Sequence, residues 1–132
     1  MNYIMSILKA FTNHLKEFVE DIQNVLPRDA DLRTAKIFLE GIIKVNPKSV
    51  IIGWKECVND VYKDKIAEGN IDYFINKDYS TDLEGTNQKN KILKTIDMFR
   101  DKMNNMGDDN KKKCMKYIQN LTKLTNMYFS KQ

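Results

Sequence analysis

The chain of 132 residues carries one histidine and two cysteines, and this thin catalytic inventory limits the chemistry open to it. His14 projects to the edge of an apolar stripe, and nothing local supports a nucleophile beside it. It reads as a boundary residue that packs its ring and wets one nitrogen, not as a general base. His14, Cys57 and Cys114 cannot complete a four-ligand zinc site without carboxylates. Glu17, Glu20, Asp21, Asp60 and Asp64 are spaced for carboxylate pairs, which perform acid–base work when burial separates their pKa values. Glu17 and Glu20 point away from the apolar stripe, so a solvated helix face explains them better. Asp78 to Gly85 alternates oxygen side chains as a calcium loop does. Its sixth position is Leu83, where that loop turns on Gly, and its twelfth is Lys89 in place of a bidentate Glu. No phosphate-binding or dinucleotide glycine pattern occurs. The expectation is therefore no enzyme, no metal or other cofactor and no small-molecule substrate.

Two features point to macromolecular contact instead. From Lys111 onward there are six lysines and no acid. Lys112, Lys116 and Lys123 project within a narrow arc opposite the apolar face of a helix, and Gln119 and Asn126 continue the line. Such a stripe meets phosphates or an acidic protein. It carries no arginine fork of the kind sequence readers use, which favours a solvated face. The second feature is Gly69 to Tyr79, dense in aromatics for a connection. Tyr73 and Tyr79 could present rigid amphipathic rings to a partner, while Phe74 and Ile75 plug one end of the fold. Asn120-Leu121-Thr122 has glycosylation spacing, but Leu121 is a core position.

The elements that position these groups are helical. Ile4, Leu8, Phe11, Leu15, Phe18, Ile22 and Val25 repeat at four-three spacing, giving an amphipathic helix over 3–26 that Pro27 ends. Asp29 or Asp31 caps a second helix over 31–45, whose apolar face is Leu32, Ala35, Phe38, Leu39, Ile42, Ile43 and Val45. Gly41 sits inside it at a cost of up to about 1 kcal/mol unless close packing requires it. Asn46-Pro47 restarts the chain, with Asn as N-cap. The third helix, 47–68, buries Val50, Ile51, Trp54, Cys57, Val58, Val61, Tyr62 and Ile66. A short helix over 70–77 follows. The last two, over 88–106 and 109–129, are joined tightly at Gly107-Asp108 as an antiparallel hairpin. Their stripes are Ile92, Ile96, Phe99, Met103 and Met106, then Cys114, Tyr117, Ile118, Leu121, Leu124 and Tyr128. Met5, Met98, Met115 and Met127 project off the main stripes. The fold expected is all-α: a single-domain bundle of five main helices plus one short helix.

Composition agrees. Hydrophobic residues make up 42%, enough for one core, and only 5 Gly and 2 Pro interrupt the chain, too few for a many-turned β-fold. The net charge of +4 is too mild for a protein that coats nucleic acid. No apolar run is long enough to span a membrane, and the first residues lack the features of a secretory signal. Cys57 and Cys114 fall at helical core positions, as expected of buried, reduced thiols in an intracellular protein. The abundance of Lys and Asn, with their A-rich codons, points to an AT-rich genome.

Several phrases resemble a family of small proteins from nucleocytoplasmic large DNA viruses, the phycodnavirus and mimivirus-like giant viruses. They are Leu15 to Asp21, Asp29 to Thr34, Glu68 to Tyr79 and Lys116 to Leu124, and the resemblance covers most of the chain beyond its first dozen residues. It implies a virus-encoded helical protein of the virion or the infected-cell cytoplasm, and it carries no active-site residues. The function expected is a non-enzymatic interaction protein with a viral or host protein partner, self-association included. The alternative is a nucleic-acid-binding accessory protein using the last helix.

Overall fold

The structure, a computed structural model, describes residues 3–76 and 87–130. Every regular element among them is helical: α1 Tyr3–Val25, α2 Ala30–Val45, α3 Pro47–Trp54, a π-helical segment Lys55–Asn59, α4 Asp60–Ala67, α5 Ile71–Asn76, α6 Asn87–Asn104 and α7 Asp108–Ser130. Since α3, the π segment and α4 form one continuous rod, the described residues build six helices around one apolar core. No helix among the described residues is long and apolar enough to cross a membrane. Tyr79 and the calcium-like loop from Asp78 to Gly85 lie outside the described residues, as do the side chains of Phe74, Ile92 and Ile96.

The helix ends follow local chemistry. The Leu32 N–H donates to Asp29 Oδ1 at 3.1 Å, so Asp29 is the cap of α2. Asn46 precedes α3 by position, but its side chain makes no capping bond. The Ser49 hydroxyl instead donates to the Asn46 carbonyl at 2.8 Å. At the end of α4, Asn70 N–H reaches the Lys65 carbonyl and Gly69 N–H the Ile66 carbonyl, with Gly69 at φ 75°. This is a Schellman stop, and it needs the left-handed residue that glycine supplies. Asn70 then caps α5 by accepting from the Tyr73 N–H at 3.1 Å.

The rod from α3 to α4 corrects the expected facing. Val50, Trp54, Val58, Tyr62 and Ile66 are all buried, and each is four residues from the next. In a regular α-helix every such step overshoots a full turn by about 40°, so the line's ends would stand about 160° apart. The π segment absorbs one extra residue, with the Asp60 N–H bonding the Lys55 carbonyl five residues back. One residue is worth about 100° of rotation, which brings the ends to within about 60°. The same rotation turns Val61, expected in the core, outward to 49% exposure.

α7 is the central helix, packed most extensively on α1 and also touching α3, the π segment, α4, α5 and α6. Its buried face is therefore wider than one stripe. Met115, expected to project off the stripe, is buried, as are Thr122 and Thr125. Val25, expected on the α1 stripe, is 40% exposed at the helix end, and Leu26 packs against the core beside it. Ile75 is buried, plugging the bundle end as expected. Cys57 and Cys114 are buried and unbonded to each other.

Charged groups tie the outer helices together. Arg100 of α6 is buried, donating to the Ile75 carbonyl at 2.8 Å and pairing with Asp97. Lys102 reaches Asp29 at 2.8 Å and Asp31 at 3.5 Å, joining α6 to the start of α2. The hydrogen bond from Lys102, with help from the Leu32 N–H, holds the Asp29 carboxyl below its ordinary pKa.

Candidate interaction surfaces

The lysine stripe of α7 is only partly what its spacing implies. Lys112, Lys116 and Lys123 are exposed, and none forms an ion pair among the described residues. The two amides expected to continue their line do other work. Gln119 Nε2 donates to the Ile66 carbonyl at 2.9 Å, near the end of α4. Asn126 Oδ1 accepts from Asn59 Nδ2 at 2.8 Å. With Trp54 Nε1 donating to Thr122 Oγ1 at 3.3 Å, these bonds form a polar seam along the rod. The seam narrows the basic surface to lysines alone. It also buries the Thr of the glycosylation-like triplet against Trp54.

Tyr73 is 42% exposed. Its ring stands edge-on to Tyr62 at 6.3 Å, with Lys65 Nζ 5.1 Å from its centroid. It is held in place, as a docking ring must be; its expected companion Tyr79 lies outside the described residues.

A polar cluster joins α1 to α7. The Tyr117 ring stacks on Phe18 at 5.0 Å and lies 4.8 Å from the His14 ring, and its hydroxyl donates to Asp21. That hydrogen bond, with burial behind it, pushes the Tyr117 phenol up to about 12. Burial, then the charge of Asp21, pushes the Cys114 thiol up to about 11. Both shifts disfavour the anion, the opposite of what activates a nucleophile. His14 Nδ1 sits 3.9 Å from Glu17 Oε1. Its Nε2 is buried with no hydrogen-bond partner among the described residues, while the side chain as a whole is partly exposed, as expected of a boundary residue.

The surface that spacing missed is on α2. At about 100° per residue, Ala30, Thr34, Ile37, Gly41 and Val45 fall within about 40° of a line through Gly41. That line runs opposite the buried residues Leu32 and Ile43. All five are exposed, with Ile37 at 71% and Val45, expected in the core, at 85%. The physical reason is that α2 lies at the rim, so only Leu32, Ala35 and Ile43 are buried. A Cβ added at Gly41 would meet nothing within 4 Å, so packing among the described residues does not require glycine there. Arg33, Lys36, Glu40 and Lys44 all lie on one flank of the ridge by the same angular count. The signal in the sequence was a glycine at mid-helix with a β-branched residue four positions to either side.

Between α1, α2, α3, α6 and α7 lies a partly open apolar pocket with about 70 Å³ of space, walled by Phe18, Ile22, Leu39, Trp54, Phe99 and Ile118 among others. Compared with protein-family models, curated proteins and solved structures, the chain matches none of them.

Proposed function

We propose that this chain is a non-enzymatic interaction protein whose docking face is the outward ridge of α2. The observation that carries the reading is the exposure of Ile37 and Val45 on either side of Gly41. Two β-branched side chains held in water by a charged, lysine-rich chain are a cost that a partner removes. Further support comes from the α1–α7 cluster, whose Tyr117 and Asp21 are engaged with each other. The virus-encoded reading, in virion or infected-cell cytoplasm, rests on the sequence resemblance alone.

The test is a photo-crosslinking amino acid at position 37, with one at position 123 as comparison, in cells producing the protein. Protein adducts from position 37 and none from position 123 are expected. Adducts from position 123 alone would overturn the reading. If those adducts are nucleic acid, the second reading takes its place. It is supported by the exposed Lys112, Lys116 and Lys123, which form no ion pair among the described residues, and it requires binding that falls steeply with salt.

A further inference from the structure

We infer that the apolar pocket opening between α2 and α6 is a binding site for the chain of a small uncharged amphiphile, an unbranched alkyl tail with a hydroxyl head. The site does not depend on the α2 ridge. Two spaces join there. The inner one has about 70 Å³ of space and exposes only apolar surface, from Val19, Leu39, Val50, Trp54 and Phe99 among others. Outside it lies a more open groove with about 390 Å³ of space, lined by Asp31, Ala35 and Phe38 of α2 and by Lys94, Thr95 and Met98 of α6. Phe38 and Thr95, both half-buried, line the two spaces together and form the neck between them. An apolar interior with a few polar groups at one end is the usual form of a small-molecule site.

Shape chooses the tail. A cavity of about 150 Å³ takes a benzene ring, and the inner space is less than half of that. The tip of an unbranched chain fits where a ring does not, and the groove holds the remainder. Charge chooses the head. Among the described residues, Asp31 and Lys94 are the charged groups that line the groove, and both are exposed. Lys102 stands 3.5 Å from Asp31 but also pairs with Asp29 at 2.8 Å, so the two acids and two lysines about the mouth cancel. The mouth has no net charge to offer an anion or a cation. A hydroxyl left there can donate to Asp31 or accept from Lys94.

Trp54, the one tryptophan of the chain, stands in the wall of the inner space and reports on its filling. The test titrates the whole chain with the primary alcohols from butanol to decanol, read by Trp54 emission and by calorimetry. Saturable one-to-one binding is expected, tightening roughly fourfold for each methylene buried and levelling off once the chain fills the inner space. Val50→Ile adds one methyl to that space and should move the levelling point one carbon shorter. Thr95→Leu crowds the neck and should keep about two methylenes out, weakening octanol about tenfold or more. Octanoate and octylammonium, whose charges meet no net complement, should bind no tighter than octanol. Circular dichroism and melting check that both variants fold. The absence of saturable binding overturns the inference, as does a charged analogue tighter than the alcohol, or a levelling point that Val50→Ile leaves in place. Wild type decides alone if a variant fails to fold: affinity that climbs without a break through decanol reports a surface and not a pocket, and overturns the inference too.

Discussion

The π segment makes the most demanding prediction, because it says where the chain tolerates losing a residue. If Lys55–Asn59 exists to absorb one extra residue, deleting Cys57 should let the rod close into a regular α-helix. Trp54, Val58, Tyr62 and Ile66 would then keep their facing, since the surplus of about 100° disappears with the deleted residue. The loss is the buried Cys57 side chain, and Cys57→Ala, which leaves the segment in place, controls for it. The deletion should match that substitution to within about 1 kcal/mol. Deleting Lys63, whose side chain is exposed, falls in regular helix and has no surplus to remove. It rotates everything beyond it and delivers Ala67 to the position that Ile66 holds. That amounts to an Ile→Ala change in the core, about 2–5 kcal/mol, with the Schellman stop at Gly69 displaced as well. For a chain of this size 1 kcal/mol moves Tm by about 4 °C. The Lys63 deletion should therefore melt about 8–20 °C below wild type, with the Cys57 deletion close to Cys57→Ala. Thermal and urea unfolding followed by circular dichroism reads both. A Cys57 deletion that falls as far as the Lys63 deletion would refute the account of the π segment.

Four further outcomes follow from the contacts. Asn126→Ala strands the buried Asn59 amide and should cost about 1–2 kcal/mol, while the Asn59→Ala/Asn126→Ala pair should cost less than the sum of its parts, as a double-mutant cycle shows. A spectrophotometric titration should find one phenol still protonated well above pH 10, absent in Tyr117→Phe. Its folded-state pKa is raised, so its stabilisation is intact below the unfolded value near 10 and is lost as pH climbs toward about 12. Cys114, buried and with a raised thiol pKa, should resist a thiol reagent until denaturant opens the fold. Val50→Ile, which adds a methyl beside the partly open apolar pocket, should raise Tm by burying further apolar surface there.

The sequence alone determined the helices and most of their ends. Proline at 27 and 47, and the Gly69-Asn70 and Gly107-Asp108 pairs, act through backbone geometry and bonds to nearby residues, so neighbours in sequence are enough to read them. Four-three spacing likewise names the apolar side of each helix, and Phe11, Phe18, Trp54 and Ile118 are buried as that spacing requires. It does not say how many neighbours a helix will have. α7 lies at the centre, so its buried face widens to take Met115 and Thr122, and its Gln119 and Asn126 turn from a basic stripe to a seam with the rod. α2 lies at the rim, so Val45 is left in water beside Ile37. The π segment, the buried Arg100 and the stacking of Phe18 on Tyr117 were equally beyond a local pattern. Each is settled by a residue more than twenty positions away or by the sum of small rotations along a helix. Periodicity gives the direction each side chain faces, and only the packed structure decides what stands opposite it.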